Sequence, residues 1–212
     1  MKKLLLLAAG LALAACGTKE SAKAPAAAAA ASTTTAPDSF RVAFVTSRGP
    51  FTVAVTRALS PIGADRFYHL VSVGYFTDVR FFRVVPGFVV QFGMSGDPKL
   101  NAEWKANPIP DEPVKTTNAK GTIVFADAGP NTRANQFFIN LADNAGLDGR
   151  GFSPFGRVVE GMDVVEGIYS GYGQTPDQDQ IALMGNAYLT KVFPKLDYIK
   201  SATVVSGATS AN

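Results

Sequence analysis

Residues 81–93 read Phe81-Phe82-Arg83-Val84-Val85-Pro86-Gly87-Phe88-Val89-Val90-Gln91-Phe92-Gly93. Two apolar runs of strand length flank Pro86-Gly87, a pair that breaks regular structure and favours a turn. Each run carries one polar side chain, Arg83 in the first and Gln91 in the second. Alternate residues of a strand share a face. Continuous alternation would put Phe81, Arg83 and Val85 on one side and Phe82 and Val84 on the other. A second stretch, Gly121 to Leu141, has the same design: two apolar runs around Gly129-Pro130-Asn131. In its second run Gln136, Phe138 and Asn140 fall on one face, and Phe137, Ile139 and Leu141 on the interior face.

Working outward, Phe40–Thr46 and Phe51–Thr56 are β-rich runs separated by Ser47-Arg48-Gly49-Pro50, which predicts a hairpin. Ser60-Pro61 reads as an N-cap followed by proline at the first helical position. Ala64, Phe67, Leu70 and Val71 recur at helical spacing, so a helix is expected over 61–73, closed by Gly74. His69 on this helix is expected to be structural. Residues 94–114 are expected to be loop because Pro98, Pro108, Pro110 and Pro113 interrupt them. Trp104 in that loop should plug the core, and Asp111-Glu112 should be solvated. Further strands are expected at 123–126, 136–141, 154–159 and 198–205. Short helices are expected at 160–169 and along the stripe Ile181, Met184, Tyr188, Leu189 and Val192, which Pro194 ends.

Short strands in this number, with two or three helices, predict a mainly β fold: a closed antiparallel barrel with helical caps. The pair of signatures, FxRVxPGFxxQ followed by AxAGPNTxxxQFF, resembles the cyclophilins, the cyclophilin-type peptidyl-prolyl cis/trans isomerases. The resemblance runs from about Phe40 to Val205 and implies an eight-stranded barrel. It implies that Arg83 is the catalytic arginine, that Phe88 and Val89 are pocket walls, and that Gln91 hydrogen-bonds the substrate amide. It implies that Ala126 and Asp127 form the edge that pairs with substrate backbone, where asparagine is usual in place of Asp127. Gln136 and Phe138 correspond to the groove glutamine and the pocket floor, and Leu147 to the apolar residue of Leu147-Asp148-Gly149. Phe152 stands where relatives carry a pocket histidine and is expected to line the pocket instead. Gly146 stands where many members carry an aromatic residue, which implies weak cyclosporin binding.

The residues are consistent with that chemistry without the resemblance. No nucleophile elbow or nucleophile and base pair stands out. Cys16 is the single cysteine and His69 the single histidine, so an internal disulfide and a multi-His zinc site are excluded. No cofactor or metal is implied. Amide rotation, in contrast, breaks no bond. It faces a barrier of about 18–20 kcal/mol and needs an apolar pocket, one rigid donor and groups that clamp the flanking backbone. The expected partners are proline-containing polypeptides. A proline-peptide docking or holdase module without turnover is the first rival, and an envelope scaffold the second.

Met1–Ala15 combines Lys2 and Lys3 with an apolar run too short to span a bilayer, as in a secretory leader. Leu13-Ala14-Ala15-Cys16 resembles a bacterial lipobox. This implies cleavage before Cys16, a diacylglyceryl thioether on its sulfur, an acylated N-terminus and a cell-envelope, extracytoplasmic location. Loss of Lys2 and Lys3 with the leader reduces the formal charge from +3 to +1, too weak a field to suggest nucleic acid. Residues 16–39 are rich in Ala, Ser, Thr and Pro and are expected to be a tether. A flexible chain of that length reaches roughly 25–30 Å. The expected organisation is therefore a leader over 1–15, a lipidated tether over 16–39, a monomeric folded domain over 40–205 and a tail over 206–212.

Overall fold

The computed structural model describes residues 34–205. Cys16, the leader, most of the expected tether and the tail lie outside the described residues. The first hairpin is β1 (Ser39–Thr46) and β2 (Pro50–Thr56), paired antiparallel with Phe44 opposite Phe51. Both strands alternate buried and open positions, the pattern of a sheet with one face in a core. The packed body starts ahead of Phe40: Ala36 is buried, and its amide donates to Asp65 Oδ1 at 2.8 Å.

Helix α1 (Pro61–Ser72) follows, with Gly74 in the left-handed conformation just past its end. The remaining strands are β3 (Arg83–Val85), β4 (Val89–Phe92), β5 (Thr122–Phe125), β6 (Phe137–Asn140), β7 (Pro154–Glu160) and β8 (Ile199–Val205). All pairings are antiparallel, in the order β3-β4-β6-β5-β7-β2-β1-β8. The sheet curls until its two ends meet, but the seam is not a continuous ladder. A single bridge joins Arg80 to Tyr198, flanked by Phe81 N donating to Asp197 O at 3.0 Å and Ile199 N donating to Val79 O at 2.8 Å. Closure is thus made by the residues just before β3. Regular alternation begins only at Arg83, and the expected shared face of Phe81 and Arg83 does not form. Phe81 enters the barrel core, Phe82 a smaller core outside it, and Arg83 turns outward, half-buried.

The interior is largely aromatic. Phe67 of α1 lies within ring contact of Phe40, Phe44, Phe76, Phe137 and Phe155. Phe44 stacks on Phe51 with centroids 4.7 Å apart. Such rings combine large apolar area with offset or edge contacts that add to the burial energy.

Three expectations about helices are corrected. Residues 94–114 are not all loop: α2 (Pro98–Lys105) forms because Asp97 caps it, accepting from Lys99 N, and Pro98 occupies the first turn, where no amide is missed. Trp104 on α2 is buried against Tyr75 and His69, with the Arg66 guanidinium 4.9 Å from its ring. The late helical stripe is two helices, α4 (Gln178–Met184) and α5 (Asn186–Val192), broken at Gly185 with φ 56°. With α3 (Met162–Glu166) the described residues hold five α-helices, more than the two or three expected. Glu112 is not solvated. Its carboxylate is buried, accepts from Ile62 N at 2.8 Å and Gly63 N at 3.0 Å, takes the Ser60 hydroxyl, and pairs with Arg133 Nη2 at 3.0 Å. Ser60 makes no side-chain cap; Glu112 caps α1 from another segment.

Candidate active site

Strands β3, β4 and β6 present their outward side chains to one cleft of about 700 Å³. Each residue expected to act on or bind substrate lines it: Arg83, Phe88, Val89, Gln91, Ala126, Asp127, Gln136, Phe138, Leu147 and Phe152. The register explains the convergence. Arg83 pairs with Gln91 across β3 and β4, and Gln91 with Phe138 across β4 and β6. Three polar and aromatic side chains therefore stand in a row on the same outer face.

The polar members of that face, with Gln136 beside Gln91, form a hydrogen-bonded chain. Arg83 Nη1 donates to Gln91 Oε1 at 3.1 Å, and Gln91 Nε2 donates to Gln136 Oε1 at 2.9 Å. The arrangement orients both amides, because Gln91 can accept from a guanidinium only through its oxygen. The Arg83 carbon Cζ lies 5.7 Å from the Phe88 ring centroid. Partial burial lowers the Arg83 pKa from its ordinary value, yet a guanidinium stays charged at neutral pH.

Beside the guanidinium lies an apolar pocket. Val89, Phe138 and Leu147 line it, backed by the buried Val124, with Phe88, Ala126 and Phe152 packed against them. Phe152 meets Phe138 edge-on, centroids 5.6 Å apart. Gly146 beside Leu147 leaves the rim bare: a methyl group there would meet nothing within 4 Å.

The pocket loop is held from below by a polar network. Asp148 accepts from Thr117 Oγ1 at 2.7 Å, Asn118 N at 2.8 Å and Asn118 Nδ2 at 2.7 Å. Those hydrogen bonds, the Asn118 amide foremost, hold its carboxyl below the usual range. Asn118 also donates to Phe152 O, and Asn144 donates to Phe88 O and Asn140 Oδ1. Leu147, Phe152 and Phe88 are thereby fixed relative to one another. Asp127 lies at the cleft edge. Desolvation raises its pKa, and the charge of Asp111 adds to the effect.

The far half of the cleft was not legible in the sequence. Met94, Asn101 and Lys105 on one side, and Gln178, Asp179 and Ala182 of α4 on the other, extend it beyond the apolar pocket. The Asn101 side chain accepts from Ser95 N through Oδ1 and donates to Ser95 O through Nδ2, and Asn135 donates to Tyr75 Oη at 2.7 Å and Asn101 Oδ1 at 3.3 Å. These buried contacts lock α2 against the residue before Gln136. Asp97-Pro98, a cap followed by a first-turn proline, was the available signal. Nothing in the sequence pointed to Gln174, whose side chain also reaches Arg83. His69 takes no part in the cleft; desolvation first, then the Arg66 charge, lowers its pKa.

Fold and site together define a mainly β barrel whose outer wall carries one guanidinium beside an apolar pocket. Residues 41–186 match the family model described as cyclophilin type peptidyl-prolyl cis-trans isomerase/CLD. The chain is 35% identical over 149 residues to peptidyl-prolyl cis-trans isomerase-like 1 of Aspergillus oryzae, covering 68% of this chain and 91% of that one. It is 38% identical over 143 residues to peptidyl-prolyl cis-trans isomerase CYP18-2 of Arabidopsis thaliana, covering 66% and 85%. It is 39% identical over 145 residues to peptidyl-prolyl cis-trans isomerase A of the bacterium Dickeya dadantii, covering 63% and 73%. A solved cyclophilin-type isomerase from Cryptosporidium parvum superposes with a TM-score of 0.60 at 21% identity, over 80% of this chain and 99% of that one, and shares the fold. The chain belongs to the cyclophilin-type peptidyl-prolyl cis/trans isomerases and is an enzyme of that class.

Proposed function

We propose that the enzyme accelerates exchange of X-Pro bonds in extracytoplasmic polypeptides, with Arg83 donating to the prolyl nitrogen in the twisted transition state. Rotation removes amide conjugation and returns a lone pair to that nitrogen. A donor that meets the lone pair only in the twisted form lowers the barrier rather than tightening ground-state binding. A ten-thousandfold acceleration requires about 5.5 kcal/mol. One charge-assisted hydrogen bond in a partly dry cleft, with positioning, is of that order. The carrying observation is the Arg83 guanidinium, oriented by Gln91 at 3.1 Å, at the mouth of the pocket formed by Val89, Phe138 and Leu147. The pocket would hold the prolyl ring. Gln91 and Gln136 would bind flanking amides, and Ala126 and Asp127 would meet substrate backbone. A related solved cyclophilin-type isomerase was crystallised in the presence of the dipeptide Ala-Pro, which supports a proline-containing ligand here.

The lipobox-like tetrapeptide ending at Cys16 supports a lipid-anchored, cell-envelope location. The bare rim at Gly146 supports weak cyclosporin binding. The test is a protease-coupled or NMR exchange assay of the purified chain on a short proline peptide. Arg83→Ala should reduce kcat/KM by about 100-fold or more while changing peptide affinity only a few-fold. Wild-type protein that leaves the peptide at its spontaneous rate would overturn the reading.

A further inference from the structure

Arg83 has two side-chain acceptors, and only one belongs to the strands of the cleft. Gln91 takes Nη1; Gln174 Oε1 takes Nε and Nη2 together, each at 3.4 Å. Gln174 lies 91 residues further along the chain, between α3 and α4. Its segment is anchored. Gly173 O accepts from Val84 N at 2.9 Å, so the backbone around Gln174 occupies the edge of β3 beside Arg83 itself. Tyr172 is wedged between Tyr169 and Phe193, centroids 5.1 and 5.0 Å away. Phe193 belongs to the small outer core with Phe82, Ile181 and Leu189. One cluster therefore fixes both Phe82, next to Arg83, and the segment that carries Gln174.

A guanidinium is a planar fork with five N–H donors. Three are engaged by the two glutamines, on opposite sides of the fork, which restrains rotation about the last side-chain bonds. One N–H on each terminal nitrogen remains for a ligand. An unheld arginine on an outer strand face would sample many rotamers, and ordering them would add to the barrier. We infer that Gln174 is a positioning residue: its amide oxygen holds the Arg83 fork in the plane from which it donates to substrate. This rests on the role proposed for Arg83. It assigns the helical elaboration between α3 and β8 a part in turnover rather than in fold alone.

The test uses the full chain, with kcat/KM on a proline peptide, peptide affinity by NMR titration, and the ¹H–¹⁵Nε resonance of Arg83. Gln174→Ala should lower kcat/KM about tenfold with affinity within about twofold, and should broaden or shift the Arg83 Nε signal. Gln174→Glu presents an acceptor at the same place and should restore both. Thr175→Ala, at the exposed neighbouring position, should leave both unchanged. An active, Arg83-dependent wild type with turnover unaltered by Gln174→Ala overturns the inference and leaves the proposed function standing. So does a slow Gln174→Ala variant whose Arg83 resonance matches wild type. An inactive wild type overturns the proposed function and this inference with it.

Discussion

Glu112 shows how much one side chain can change a reading. Met by itself in a proline-rich run, it looked solvated, yet it holds the first turn of α1 and the buried Arg133. Desolvation pushes its pKa up, but hydrogen bonds from Ser60, Ile62, Gly63 and Arg133 outweigh it and leave the value below the ordinary 4.5. A carboxylate depressed on folding contributes stability that is complete above its unfolded pKa and is lost as pH falls through the folded one. Glu112→Gln should therefore cost about 3 kcal/mol at neutral pH, since it leaves a buried guanidinium short of its counter-charge. Urea unfolding at pH 7 and at decreasing pH checks this: the gap between wild type and variant should narrow as pH drops below about 4.5. Arg83, in contrast, lines the cleft with its nearest partner, Gln91, held opposite it by a hairpin turn of fixed register, all within nine consecutive residues. Its second partner, Gln174, was not found, because no local pattern links residues so far apart.

At the level of elements, strands were more legible than helices. Alternating burial in β1 and β2 follows from a period of two that the residues state directly. The break between α4 and α5 was missed, because apolar spacing continues across Gly185 even though the backbone does not. Gly185 has φ 56°, and a methyl group there would run into Gly96 O and the neighbouring carbonyl carbon. Gly96 O also accepts from Asn186 N at 3.0 Å, so the junction is docked against the loop before α2. Gly185→Ala should lose about 1–3 kcal/mol from the strained conformation alone. Thermal unfolding should show a lower Tm, and hydrogen exchange should place the earliest opening in α4 and α5. In the same way α2 was hidden by its prolines, although Pro98 at the first turn and the Asp97 cap favour a helix there.

For the molecule as a whole, stability rests on the aromatic interior that joins α1 to the sheet. Phe67 is fully buried and touches rings from β1, β6, β7 and the segment after α1. Phe67→Ala should cost about 3–5 kcal/mol, measured by denaturant unfolding, and without a change in peptide affinity at temperatures where the variant is folded. The amino-acid order alone was enough to predict a mainly β barrel, the alternating faces of β1 and β2, and Arg83 and Gln91 on the two strands of one hairpin. These follow from alternation, turn residues and short-range register, all written within a dozen positions. Tertiary contact was needed to set where the barrel closes, that Phe81 points inward, that Glu112 is buried at a helix start, and that Gln174 reaches Arg83. Each of these joins segments distant along the chain, and their meeting depends on how all the intervening elements pack.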